Sequence, residues 1–116
     1  MSLTAREITA AALAEKVSAR RAPAILDVRS AAEYRRGHIP GAVNMPFWLL
    51  PFRLQSLALR PDEPLVVYCG HGPRAQIARA VLEREGFQQV TLLTGHMQAW
   101  RETYTDLLPP AAFVAR

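Results

Sequence analysis

Between Leu65 and Glu85 the chain changes its period once, and that change constrains the fold more than any other feature. Leu65-Val66-Val67-Tyr68 is a short apolar run of strand type. Cys69-Gly70-His71-Gly72-Pro73-Arg74 turns the chain, and from Ala75 to Glu85 the apolar residues recur at helical spacing. Ile77, Ala78, Val81 and Leu82 form one face of that helix, and Gln76, Arg79, Glu83 and Arg84 the other. Gly86 stands just past its end, with Phe87 placed to pack back. A strand that runs through a tight loop into a helix is half of a parallel crossover unit, because parallel strands cannot be joined by a hairpin.

The rest of the chain repeats this alternation. Ile8 to Arg20 predicts a first helix, with Thr9 as N-cap and Ala12, Leu13 and Val17 as its apolar stripe. Ala24 to Val28 is a second strand-type run. Its Asp27 is a charge where burial is expected, and pairing with Arg29 or a backbone turn would account for it. Ser30 and Glu33 have capping-box spacing and open a short helix that Gly37 stops. A turn-rich connection follows, with a short strand over 42–44 and His38 ordering the turn. Phe47 to Leu59 predicts a helix that Pro51 interrupts, hence a broken or late-starting one. Phe47, Trp48 and Trp100 are expected in the core or along a pocket wall. Val90 to Leu93 is another strand, Thr94-Gly95 a turn, and residues 96–103 a short helix. Strands over 24–28, 42–44, 65–68 and 90–93, separated by helical crossovers, predict an α/β fold with a parallel sheet covered on both faces. The 116 residues are expected to form one domain, with a core over about 4–103 and a patternless tail over 104–116.

Composition excludes several functions. The net charge is +4, and all but Lys16 of the 14 basic residues are arginine. They are scattered, with no basic run interleaved with aromatics, so no nucleic-acid partner is expected. No stretch is long and apolar enough to span a membrane, and the N-terminus lacks the layout of a secretory signal. The single cysteine, Cys69, excludes an internal disulfide and fits a reducing, cytoplasmic location. Cys69, His71 and His96 are too sparse a set for zinc, so neither a metal nor a cofactor is expected.

The chemistry therefore centres on Cys69. In open parallel sheets ligands bind beyond the carboxyl ends of the strands, where this residue falls. The backbone N–H groups of residues 70–74 can curl around one point, Gly70 and Gly72 permit the curl, and the following helix directs its positive end there. Helix N-termini and nearby cations favour thiolate over thiol, and Arg74 would add its charge. A nucleophilic sulfur in an anion cradle suits an anionic electrophile. Sulfur transfer through a persulfide and phosphoryl transfer through a cysteinyl-phosphate both fit. Four residues separate Cys69 from Arg74. Cysteine-dependent phosphatases carry one more, to hold a tetrahedral phosphate, so the smaller ring suits a single added sulfur atom. An inert core cysteine is the bland alternative.

Three stretches together resemble the rhodanese-like sulfurtransferases. They are Ile25-Leu26-Asp27-Val28-Arg29 with Glu33-Tyr34 and Gly37 to Asn44; Val67 to Arg74, similar to the family's six-residue active-site loop; and Leu92-Leu93-Thr94-Gly95 with Trp100. The resemblance covers roughly residues 4–101. It implies a three-layer α/β/α fold around a mostly parallel, about five-stranded sheet. It implies Cys69 as sulfur acceptor, a substrate- or persulfide-binding loop of Gly70, His71, Gly72, Pro73 and Arg74, and Asp27 and Arg29 as a supporting charge network. The implied partners are a small anionic sulfur donor such as thiosulfate and a thiol or cyanide acceptor, with a sulfur-accepting protein as the macromolecular alternative. A non-catalytic interaction or redox-sensing module on the same fold is the rival function, and a phosphatase or arsenate reductase a more distant one. Two positions depart from the family pattern. Ala75 replaces a frequent serine and removes a hydroxyl that could stabilise a persulfide, and Gly95-His96 replaces a Gly-Gly pair.

Overall fold

The structure, a computed structural model, describes residues 6–104. Residues 1–5 and 105–116, with most of the expected tail, lie outside the described residues. Five strands, β1 (Arg6–Ile8), β2 (Ala24–Asp27), β3 (Val43–Asn44), β4 (Leu65–Tyr68) and β5 (Val90–Leu93), form one sheet in the order β1-β5-β4-β2-β3. Every neighbouring pair is parallel. The helices are α1 (Ala10–Ser18), α2 (Ala31–Arg35), α3 (Leu50–Arg53), α4 (Pro73–Arg84) and α5 (His96–Tyr104), and a 3-10 helix (Leu54–Leu57) follows α3.

Strand alternation separates two cores. Leu26, Val67 and Leu92 point to one side and pack with Ala75, Ala78 and Leu82 of α4 and with Leu50 of α3. Ile25, Val66 and Leu93 point to the other and pack with Leu13 of α1 and with Met97 and Trp100 of α5. The sheet is thus covered on both faces, as the apolar runs predict. Cys69 belongs to the α4 side and Tyr68 to the α1–α5 side.

The local signals act as expected at several ends. Thr9 caps α1, its hydroxyl accepting from the Ala12 N–H at 3.1 Å. Ser30 and Glu33 form a complete capping box on α2. His38 stacks on Tyr34, with ring centroids 3.6 Å apart, and its Nδ1 bonds the Tyr34 carbonyl at 2.8 Å, ordering the turn. Trp100 is core.

Other expectations are corrected. The first helix does not begin at Ile8. Residues 6–8 form β1, which pairs with β5, and Thr9 starts the helix behind it. Helix α4 begins at Pro73, two residues before the apolar periodicity, because proline is preorganised for the first helical turn. Ile77 is half exposed, so the buried face of α4 is Ala75, Ala78 and Leu82. The segment over 47–59 behaves as expected, its helix starting late at Leu50 and breaking into α3 and the 3-10 helix, whereas Trp48 is half exposed and so not part of the core.

Candidate active site

Strand β4 delivers Cys69 to the carboxyl end of the sheet. Its Sγ accepts the N–H of Gly72 at 3.1 Å and the N–H of Ala75 at 3.4 Å. Two amides of the loop and helix start therefore converge on the sulfur, and such donors are worth most when their acceptor carries negative charge. Gly72 makes the convergence possible with φ +138° and ψ −52°, a conformation closed to ordinary side chains. Gly70 serves differently. It is not left-handed; a β-carbon on it would lie 3.1 Å from Arg74 Nη2. The amides of Gly70, His71 and Arg74 have no protein acceptor among the described residues. His71 and Pro73 are exposed on the loop's outer side. Cys69 itself is buried, at 0% exposure.

The donor set differs from the one expected over 70–74, since Ala75 lies one residue beyond it. The side chain that replaces the frequent serine offers no hydroxyl, yet its backbone N–H reaches the sulfur.

Arg74 does not point at Sγ. Its Nη1 and Nη2 bond Glu33 Oε1 and Oε2 at 2.7 and 3.0 Å, a bidentate pair across 41 residues of chain. The hydrogen bond from Arg74 holds the Glu33 carboxyl at about 2, against burial, with the Ser30 N–H and hydroxyl acting in the same direction. The same pair raises the Arg74 pKa. Glu33 is a site residue the sequence did not single out, because its capping role already explained it.

Asp27 and Arg29 are brought to each other, and neither bonds the sulfur. Arg29 Nε bonds both carboxylate oxygens of Asp27, at 3.0 and 3.1 Å, and its Nη2 bonds Oδ2 at 2.7 Å and the Gly37 carbonyl at 2.8 Å. The Tyr68 hydroxyl donates to Asp27 Oδ2 at 2.7 Å and accepts the Ile39 N–H at 3.1 Å. Burial opposes the Arg29 charge, but the hydrogen bonds and charge of Asp27 outweigh it and raise its pKa. Burial, with the Asp27 charge, pushes the Tyr68 hydroxyl well up. This network lies on the Tyr68 side of the sheet. It ties the end of β2 to the 37–40 turn and to β4, and its charges also act on the Glu33–Arg74 pair.

His96 lies against the loop rather than in solvent. It is buried, and its Nδ1 accepts the Cys69 N–H at 3.2 Å. No group of three or more histidine, cysteine or acidic side chains among the described residues could hold a metal ion, and none of the described helices is long and apolar enough to cross a membrane. A cleft of about 430 Å³ opens at the other, amino end of the strands, beside Lys16, Arg21 and Glu63, and none of residues 69–75 lines it.

A parallel sheet that ends one strand in a cysteine, held at the centre of an amide-lined loop and a helix start, defines an α/β domain built around a sulfur. A model of the rhodanese-like domain matches residues 9–103, and the chain belongs to that family. It is 30% identical over 104 residues to a sulfurtransferase from Allochromatium vinosum, covering 90% of this chain and 95% of that protein. It is 38% identical over 80 residues to the thiosulfate sulfurtransferase GlpE from Stutzerimonas stutzeri, covering 69% of this chain and 72% of the relative. Among solved structures, a rhodanese-related protein from Thermoplasma volcanium superposes with a TM-score of 0.72 at 32% identity, covering 84% of this chain and 92% of the other.

Proposed function

We propose that the chain is a sulfurtransferase that carries a sulfane sulfur on Cys69. The thiolate attacks the outer sulfur of an anionic donor such as thiosulfate. The donor's S–S bond breaks, sulfite leaves with the electron pair, and a Cys69 persulfide remains. A thiol or cyanide then attacks the outer persulfide sulfur and returns the thiolate. The observation that carries this reading is the convergence of the Gly72 and Ala75 amides on Sγ, at 3.1 and 3.4 Å. Those donors, with the amides of Gly70, His71 and Arg74, stabilise charge on the sulfur and on an added sulfur atom. Asp27 and Arg29 act at a distance, by fixing the strand ends from which the loop springs. The relatives' names support thiosulfate as the donor to test first, and a cytoplasmic setting fits a free thiol.

Full burial of Cys69 favours a second reading, a non-catalytic interaction or redox-sensing module. Intact-mass measurement after thiosulfate treatment separates the two. Wild type gains the mass of one sulfur atom and releases sulfite, and Cys69→Ser does neither. Wild type without adduct or sulfite overturns the sulfur-transfer reading. Neither protein is expected to hydrolyse an aryl phosphate, because the loop is one residue short of a phosphate cradle.

A further inference from the structure

Cys69 is the first residue past β4, and its backbone leaves the sheet. Its N–H donates to His96 Nδ1 at 3.2 Å. Its carbonyl accepts from the Met97 N–H at 2.9 Å, and the Gly70 carbonyl from the Gln98 N–H at 3.1 Å. The first turn of α5 thus holds both polar groups of the nucleophile's own backbone and the carbonyl of Gly70. With those carbonyls drawn towards α5, the amides that follow are free to turn towards the sulfur.

Two of these bonds come from main chain, and almost any sequence could supply them. The third needs a side-chain acceptor at a residue whose φ is +55°, in the left-handed region where a β-carbon is disfavoured. Gly95 before it has φ +73°, and a β-carbon there would lie 2.5 Å from Ala99 Cβ, so the turn is too tight to shift. Glycine would be the least strained residue at position 96. Histidine adds the ring. One edge accepts the Cys69 amide. The other, Nε2 and Cδ2, lies 3.7 and 3.8 Å from where a β-carbon on Gly72 would be. One imidazole therefore bonds the residue that carries the sulfur and lies beside the glycine whose N–H bonds it. An amide N–H can only donate, so Nδ1 carries a lone pair and the ring is neutral, with its proton on Nε2.

We propose that His96 is a positioning residue of the Cys69 loop, whose neutral imidazole holds the Cys69 amide through Nδ1, aims the sulfur, and lets go on protonation. This rests on the sulfur-transfer reading. Burial lowers the His96 pKa below 6.5, and His71 on the loop acts in the same direction; Glu7 on β1, held by the Thr94 hydroxyl at 2.9 Å, opposes them. Cys69 is the remaining titratable group at the ring. The released state accordingly belongs to pH values below the ordinary histidine range.

The test compares wild type, His96→Asn and His96→Gly. Asparagine places Oδ1 where histidine has Nδ1, tolerates left-handed backbone and does not titrate. Three quantities are read: the rate of persulfide formation from thiosulfate across pH, the rate of Cys69 alkylation by iodoacetamide, and the imidazole nitrogen chemical shifts. His96→Asn is expected to keep the loading and alkylation rates near neutral pH and to retain more of them than wild type as the pH falls through the His96 transition. His96→Gly is expected to lose about two- to tenfold in both rates, the worth of one hydrogen bond. Relief of backbone strain offsets its lost packing, so Tm changes little. In wild type near neutral pH the shifts should show Nδ1 bare and Nε2 protonated. Wild-type rates in His96→Gly, a wild-type pH profile in His96→Asn, or a protonated Nδ1 in the neutral ring overturns the proposal. Wild type that takes up no sulfur overturns only the sulfur-transfer reading, and the alkylation rates and nitrogen shifts then still decide the role of His96.

Discussion

Replacing Glu33 with glutamine keeps the shape of the side chain and removes its charge, and it should cost more than an ordinary surface ion pair. Glu33 accepts both terminal nitrogens of Arg74, at 2.7 and 3.0 Å, and the Ser30 N–H and hydroxyl, each at 3.0 Å. Glutamine can keep the Ser30 N–H through Oε1, but its amide nitrogen is a donor and then faces the guanidinium. Holding the carboxyl at about 2 instead of 4.5 sets a ceiling of about 3 kcal/mol. The two side chains are 26% and 30% exposed, so water screens part of the attraction and leaves about 1–2 kcal/mol. Urea unfolding of wild type, Glu33→Gln, Arg74→Met and the double variant isolates the pair, with an expected coupling of about 1 kcal/mol. The pH dependence has a definite sign. The carboxyl pKa is lowered on folding, so the unfolded chain binds more protons, and the stabilisation is whole above 4.5 and lost as the pH falls towards about 2. Wild type and Glu33→Gln should converge over that window. A coupling within about 0.3 kcal/mol of zero, or a stability gap undiminished at the acid end, would refute the argument.

Asp27→Asn leaves the Arg29 charge buried without its carboxylate and should cost about 3–5 kcal/mol, read as a collapse in Tm; Tyr68→Phe, which strips one donor from Asp27 and the acceptor from the Ile39 N–H, should cost about 1–3 kcal/mol. Because the bonds of this network go to the 37–40 turn and to Tyr68 and none goes to Sγ, the folded fraction of either variant should still load sulfur at the wild-type rate, and a specific loss of loading would place the network in the site itself. Gly72→Ala forces a β-carbon into a conformation with φ +138° and should slow loading from thiosulfate about tenfold or more, the amide being turned off the sulfur; loading at the wild-type rate would show that this amide is not needed.

What was legible in the sequence was whatever is local. The bounds expected for β4 and β5, 65–68 and 90–93, are those observed, because both strands are buried and apolar and are flanked by turn residues. Strand β1 was not legible. Arg6 and Glu7 are exposed on an edge strand of three residues, so no alternation or apolar run marks them, and the residues alone predicted four strands. A fifth was implied only by the family resemblance. Ile77 fits helical periodicity and is nonetheless exposed, since the stripe that faces the sheet is narrower than the apolar pattern. At the site, the cysteine, the glycine turn and the helix start were visible within one short stretch. Asp27 was visible as a misplaced charge, and its partner Arg29 lies two residues on. Its other partner, Tyr68, is 41 residues away and reads locally as strand. Glu33 and Arg74 are equally far apart, and each had a sufficient local explanation, one as a cap and the other as an anion contact. His96 was visible only as a departure from a family pattern, and its geometry shows what the departure supplies.

The position of Arg74 alters how the site attracts an anion. Both ends of its guanidinium fork are taken by Glu33, whose carboxylate offsets part of its charge at the loop. In the proposed reaction the loop amides and the start of α4, which are neutral groups, then share the attraction for a donor. Oriented amides bind any small anion of the right size and gain most where charge is concentrated on one atom, which is the case for a thiolate or a persulfide. A donor that uses Arg74 as well must displace one or both of the Glu33 oxygens from it. Glu33→Gln then has opposite effects on stability and on binding, because it weakens the fold while freeing the fork for the donor. A lower KM for thiosulfate in Glu33→Gln than in wild type would show that Arg74 is shared between the two, whereas an unchanged KM would make Arg74 a brace for the loop and leave recognition to the amides alone.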